Sequence, residues 1–139
     1  MDDYSKPRFI IYDALFYALA LERAEKTAEA AAAVKDFLAR AQATQTSESQ
    51  WPMPFLRFLS NDIDMAELLR RADTADSGQV KKRQCDLNYY LGMWSLIRQK
   101  DSAAARVYFQ KSLESGLDLR MEYQRAKHEL ARLDSLRRN

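Results

Sequence analysis

The chain has 139 residues, enough for one domain with a real hydrophobic core. Its 22 basic and 20 acidic residues leave a formal charge of +2, so no overall field draws it to nucleic acid or anionic lipid, and a single cysteine excludes an internal disulfide. Only three glycines and three prolines occur among abundant Ala, Leu, Arg, Glu, Lys and Gln, residues that lose little entropy in a helix, and this predicts an all-α protein.

The opening MDDYSKPRF carries acids in place of a basic leader, and no apolar run approaches the roughly 18 residues of a membrane span. As given, the sequence predicts a cytoplasmic protein with no membrane insertion, whereas a signal or lipid anchor ahead of it would move it to the cell envelope or periplasm. Pro7 suits a helix start, and the run from Phe9 to Leu21 is apolar nearly all round, so this first helix is expected to lie between neighbours. Ala28, Ala31, Val34, Leu38 and Ala41 recur at steps of three and four, one face of a second helix whose small residues permit close approach. The intervening ERAEK reads as a tight connection. Without Gly or Pro, one continuous bent helix stands as the alternative.

TQTSES, from Thr44 to Ser49, has no apolar residue and is rich in side chains that compete for helical hydrogen bonds, so it reads as a loop. WPMPFLRFLSNDIDMAELLRRA then predicts a short helix after Pro54, a break near Ser60 to Asp62, and another helix from about Asp64. Asp62 or Asp64 can cap it, and Arg70 and Arg71 fall near its carboxyl end, where the helix dipole favours cations. A second loop, DTADSGQ, follows.

In the next helix Leu87, Tyr90, Leu91, Trp94 and Ile97 share one face while Tyr89, Met93 and Leu96 share another, which predicts neighbours on two sides. Ala105, Phe109, Ser112 and Leu113 form the facing stripe of the helix after it, Gly92 allows the two to approach closely, and Gly116 ends the second. A last helix carries Leu119, Tyr123, Ala126, Leu130 and Leu133 on one side and charge on the other, as a terminal cap of a helical stack requires. The organisation expected is one domain, 1–139, with hairpins at about 8–42, 51–73 and 84–115 and a capping helix at about 118–137.

Leu91-Gly92 followed by Ala105-x-x-x-Phe109 resembles the paired helices of the tetratricopeptide repeat (TPR), with Asn88 and Ser95 in place of the consensus aromatics and Lys100 where the turn usually has glycine. Over most of the chain, Trp51, Tyr90-Leu91-Gly92, and Glu122-Tyr123 with Ala126, Glu129 and Leu130 resemble, in order and spacing, the carboxyl-terminal half of bacterial proteins of the new lipoprotein I (NlpI) type. The resemblance implies TPR-like antiparallel hairpins stacked in a short right-handed superhelix, and a dimer-forming adaptor that brings envelope proteases and cell-wall hydrolases together. The sequence as given shows neither the lipid-anchor signal nor the amino-terminal repeats expected of that group.

Little points to chemistry. His128 is the only histidine, so one chain cannot supply a two-histidine metal site, and nothing in a helical stack requires Cys85 to meet it as a nucleophile pair. Asp62 and Asp64 lack the Gly and distal Glu of a cation loop, and the isolated glycines form no phosphate cradle. No catalytic residue, metal or cofactor is expected. The basic run Lys81 to Arg83 has no interleaved aromatics and reads as a solvated face, not a nucleic-acid site. Aromatic residues on the first helices of the hairpins remain, and Tyr12, Phe16, Tyr89 and Met93 are the expected lining of a concave groove for a peptide or protein. The function expected is thus a non-catalytic protein-binding adaptor. The alternative is a self-assembling module that turns the same surface on a second copy as a homodimer.

Overall fold

A computed structural model of the chain describes residues 7–43, 51–73 and 76–137. Among these residues there are seven helices and no strand: α1 (Pro7–Arg23), α2 (Thr27–Ala43), α3 (Met53–Leu59), α4 (Met65–Ala72), α5 (Ser77–Ile97), α6 (Ser102–Leu113) and α7 (Met121–Arg137). The all-α expectation holds. The chain divides into two compact units, Met1–Ala72 and Asp73–Asn139. The loop expected at 44–49 lies outside the described residues.

In the first unit the choice between a turn and a bent helix is settled by Glu25, which takes a left-handed conformation at φ 64°. The Glu25 amide donates to the Glu22 carbonyl and the Lys26 amide to that of Leu21, so two orphan carbonyls at the end of α1 are satisfied without a glycine. Asn61 ends α3 in the same way at φ 66°, with the Asp62 amide donating to the Arg57 carbonyl. The cap of α4 is Asp64, whose Oδ1 accepts the Glu67 amide at 2.9 Å, while Asp62 bonds the Arg57 guanidinium at 3.0 Å instead. Arg70 and Arg71 do more than answer the dipole. Both bond the Glu67 carboxylate and hold it well below the usual carboxylate range, at about 2.

α2 buries a stripe slightly rotated from the expected one. Ala30, Val34 and Leu38 are buried, whereas Ala28 and Ala31 are exposed. The Ala41 side chain lies outside the described residues. α3 is buried almost all round through Met53, Pro54, Phe55, Leu56, Phe58 and Leu59.

In the second unit α5 begins at Ser77, seven residues before the hairpin boundary expected at 84. The Asp76 carboxylate accepts the Gly78 amide at 2.9 Å, so residues that read as a loop become the first turn of a capped helix. α5 packs on both α6 and α7, and Cys85, Asp86, Tyr89, Tyr90, Leu91, Gly92, Met93, Ser95 and Ile97 are buried along it. The α5–α6 hairpin is antiparallel: Cys85 meets Ser112 near one end, and Gly92 meets Phe109 further along. A Cβ at Gly92 would stand 2.5 Å from Phe109 Cε1, so the Leu-Gly and Ala-x-x-x-Phe motifs do touch. The turn between them is one step wider than those after α1 and α3, with Lys100 at φ 53° and the Asp101 amide donating to the Ser95 carbonyl.

α7 starts at Met121, three residues later than expected, and its buried face is Glu122, Ala126, Glu129 and Leu133. Leu119 is not part of it. At 96% exposure Leu119 sits in the preceding turn; Ala126 and Leu133 are buried as expected, while Tyr123 and Leu130 are half-buried beside the buried Glu122 and Glu129.

Candidate functional site

The four residues expected to line a groove fall in different units. Tyr89 and Met93, on α5, are only 3% and 4% exposed. The Tyr89 ring lies 5.4 Å from that of Tyr90 and 6.1 Å from that of Phe109, tilted against each, so it belongs to the aromatic packing of the α5–α6 hairpin. Tyr12 and Phe16, on α1, are half-buried.

Among the described residues α1 packs chiefly on α2. Leu15, Ala18, Leu19 and Glu22 form its buried face. The opposite side carries Tyr12, Phe16 and Leu21 half-buried together with Ala20 and Tyr17 exposed, the last to 59%, with Asp13 and Arg23 as the charges in that sector. Helical steps of three and four join these residues into one apolar face. Tyr17 was absent from the sequence-based set although it sits in the same run, because periodicity cannot tell which side of an all-apolar helix is left uncovered.

The densest polar arrangement is in the second unit and was also missed. Asp86 of α5 has a side chain with no exposure, and Arg120, in the turn before α7, grips it with both arms of its fork: Nε donates to Oδ1 at 2.6 Å and Nη2 to Oδ2 at 2.7 Å. Glu122, in the first turn of α7 and 6% exposed, brings its Oε2 to 3.7 Å from Arg120 Nε, beyond hydrogen-bond reach. Two buried carboxylates therefore share one guanidinium. Burial first, and then the charge and hydrogen bond of Asp86, push the Glu122 carboxyl up to about 7, against a smaller downward pull from Arg120. The sequence signal was an aspartate on the same face as Tyr89, Tyr90 and Met93, a core position that demands a partner; the partner's place in a turn 34 residues on could not be read.

Beside this cluster the Cys85 Sγ lies 3.4 Å from Ser112 Oγ, whose hydroxyl donates to the Cys85 carbonyl at 2.9 Å. Burial, with lesser contributions from Asp86 and Glu122, raises the thiol above its ordinary value. His128 is exposed on α7, far in sequence register from this pair. Among the described residues no group of three or more His, Cys, Asp or Glu side chains could hold a metal ion, and no helix is long and apolar enough to cross a membrane. No family model, curated protein or solved structure matches the chain.

Proposed function

We propose that this chain is a non-catalytic adaptor of TPR-like helical hairpins, similar in architecture to the NlpI group, which takes a peptide or protein partner on an apolar helix face. The reading rests on the outer side of α1, where Tyr17 is 59% exposed beside Tyr12, Phe16, Ala20 and Leu21. Contiguous apolar surface with aromatic residues marks interaction sites more often than solvent-facing helix, and a tyrosine presents area with a polar tip. The TPR-like pairing of α5 with α6 is supported by the meeting of Gly92 with Phe109. The groove is accordingly assigned to α1, with Tyr89 and Met93 supporting the hairpin from inside.

The test compares the wild-type protein with Tyr17→Asp, a change at an exposed position that leaves the core intact. Helicity and melting should be unchanged. Recovery of specific co-purifying partners, measured by quantitative mass spectrometry from the native host, should fall, with solution mass measured in parallel by light scattering. A drop in solution mass with no partner recovered would favour self-assembly through the same face. If a folded Tyr17→Asp changes neither quantity, α1 is not a binding face.

A further inference from the structure

Asp86, Arg120 and Glu122 join three elements of the second unit: α5, the turn after α6, and the start of α7. Arg120 uses Nε and Nη2 on Asp86, so Glu122, 3.7 Å from Nε, has no guanidinium hydrogen bond of its own. With a proton on Glu122 the cluster is neutral overall, one carboxylate against one guanidinium, and the carboxyl can donate to Asp86. Without it, a second negative charge is held in a site from which water is almost excluded.

The charges around Glu122 do not relieve this. α5 presents Asp86 and the Cys85 thiol, neither of them cationic. α6 sends no charge inward at this end, since Lys111 and Glu114 are exposed, and its Arg106 is paired with Asp134 at the far end of α7. On α7 itself the next buried ionisable group is Glu129, also an acid. The Arg120 charge and then a backbone hydrogen bond favour the ionised form, but burial and Asp86 outweigh them.

We propose that Asp86, Arg120 and Glu122 form a proton-controlled latch, which fastens the first turn of α7 to α5 while Glu122 is protonated and loosens when that proton is lost. The ionised carboxylate reaches water most readily by swinging out with the first turn of α7, because the single hydrogen of Nε, the guanidinium nitrogen 3.7 Å from it, is already donated to Asp86. The direction follows from linkage. The folded value lies above the value of about 4.5 in an open, solvated turn, so the contribution to closure is complete below that lower value and is lost as pH rises through about 7. Between about pH 6 and pH 8.5 those two values give roughly a tenfold rise in the opening equilibrium, levelling off above that range.

The experiment is amide hydrogen exchange across the first two turns of α7 in the full chain, corrected for intrinsic rates, at about pH 6 and about pH 8.5. The wild type should lose protection there by about tenfold, and Glu122→Gln, which keeps the neutral shape at every pH, should show a flat profile. Direct titration of the Glu122 carboxyl by carbon NMR in the unaltered protein provides a measurement that does not depend on a variant folding. A midpoint in the ordinary glutamate range overturns the proposal. So does wild-type protection that is independent of pH, or a Glu122→Gln protein that follows the wild-type profile.

Discussion

Alanine at position 92 puts a number on the contact that holds the α5–α6 hairpin. Its Cβ would stand 2.5 Å from Phe109 Cε1, 2.6 Å from Cδ1 and 2.9 Å from Cζ, where carbon atoms ordinarily sit about 3.5–4.0 Å apart. The ring must therefore retreat by roughly 1 Å or the helices must part. Phe109 has no exposure, and the Tyr89 ring lies 6.1 Å away, so there is little room to retreat. Overpacking of this kind costs about 1–3 kcal/mol, and overlap with three ring atoms of a fully buried side chain places it near the upper end. Against it stands the gain of about 1 kcal/mol from alanine in a helix interior. The net loss is about 2 kcal/mol, which at roughly 4 °C per kcal/mol for a chain of this size lowers the melting temperature by about 8 °C. Thermal melting followed by circular dichroism reads this directly. The cause is tested by adding Phe109→Leu: the shorter side chain should make the double variant more stable than the sum of the two single losses predicts. A Gly92→Ala protein that melts at or above the wild-type temperature would refute the close contact, since helix propensity alone would then account for the outcome.

Two further perturbations address the interior of the second unit. Arg120→Met leaves the Asp86 carboxylate buried without its fork, and because Arg120 is itself 20% exposed the loss should fall near about 3 kcal/mol, the lower end for breaking a buried pair; chemical denaturation checks it, and Asp86→Leu combined with Arg120→Met should cost less than Arg120→Met alone. Cys85, fully buried with a thiol raised above its ordinary value, should resist a thiol reagent in native buffer and react fully in denaturant, and rapid native labelling would show that the α5–α6 seam opens readily.

Helix existence was legible because it depends on local composition, and the breaks after α1, α3 and α6 fell where the apolar periods stopped. The start of α5 was not legible. Asp76, Ser77 and Gly78 have loop chemistry when read one by one, but an aspartate that accepts the amide two residues on converts the same residues into a helix start. Likewise, the turns at Glu25, Asn61 and Lys100 were visible only as interruptions, because left-handed residues there are not glycine and their hydrogen bonds run back to carbonyls five or six residues earlier.

The candidate site was harder, for a reason that applies to both units. Hydrophobic periodicity finds the residues that leave water and cannot say which uniformly apolar side is left outside, so Tyr89 and Tyr17 look alike in sequence although one is 3% and the other 59% exposed. A charged residue on an apolar face carries the opposite kind of information. Asp86 breaks the pattern of α5, and burying a carboxylate is costly enough that the fold must supply a cation within reach. The same reasoning applied to Glu122 finds the guanidinium already engaged, and the cheapest remaining partner is a proton. Sequence patterning thus accounts for the helices, whereas the coupling of α7 to α5 depends on long-range charge neutrality, which no local period records.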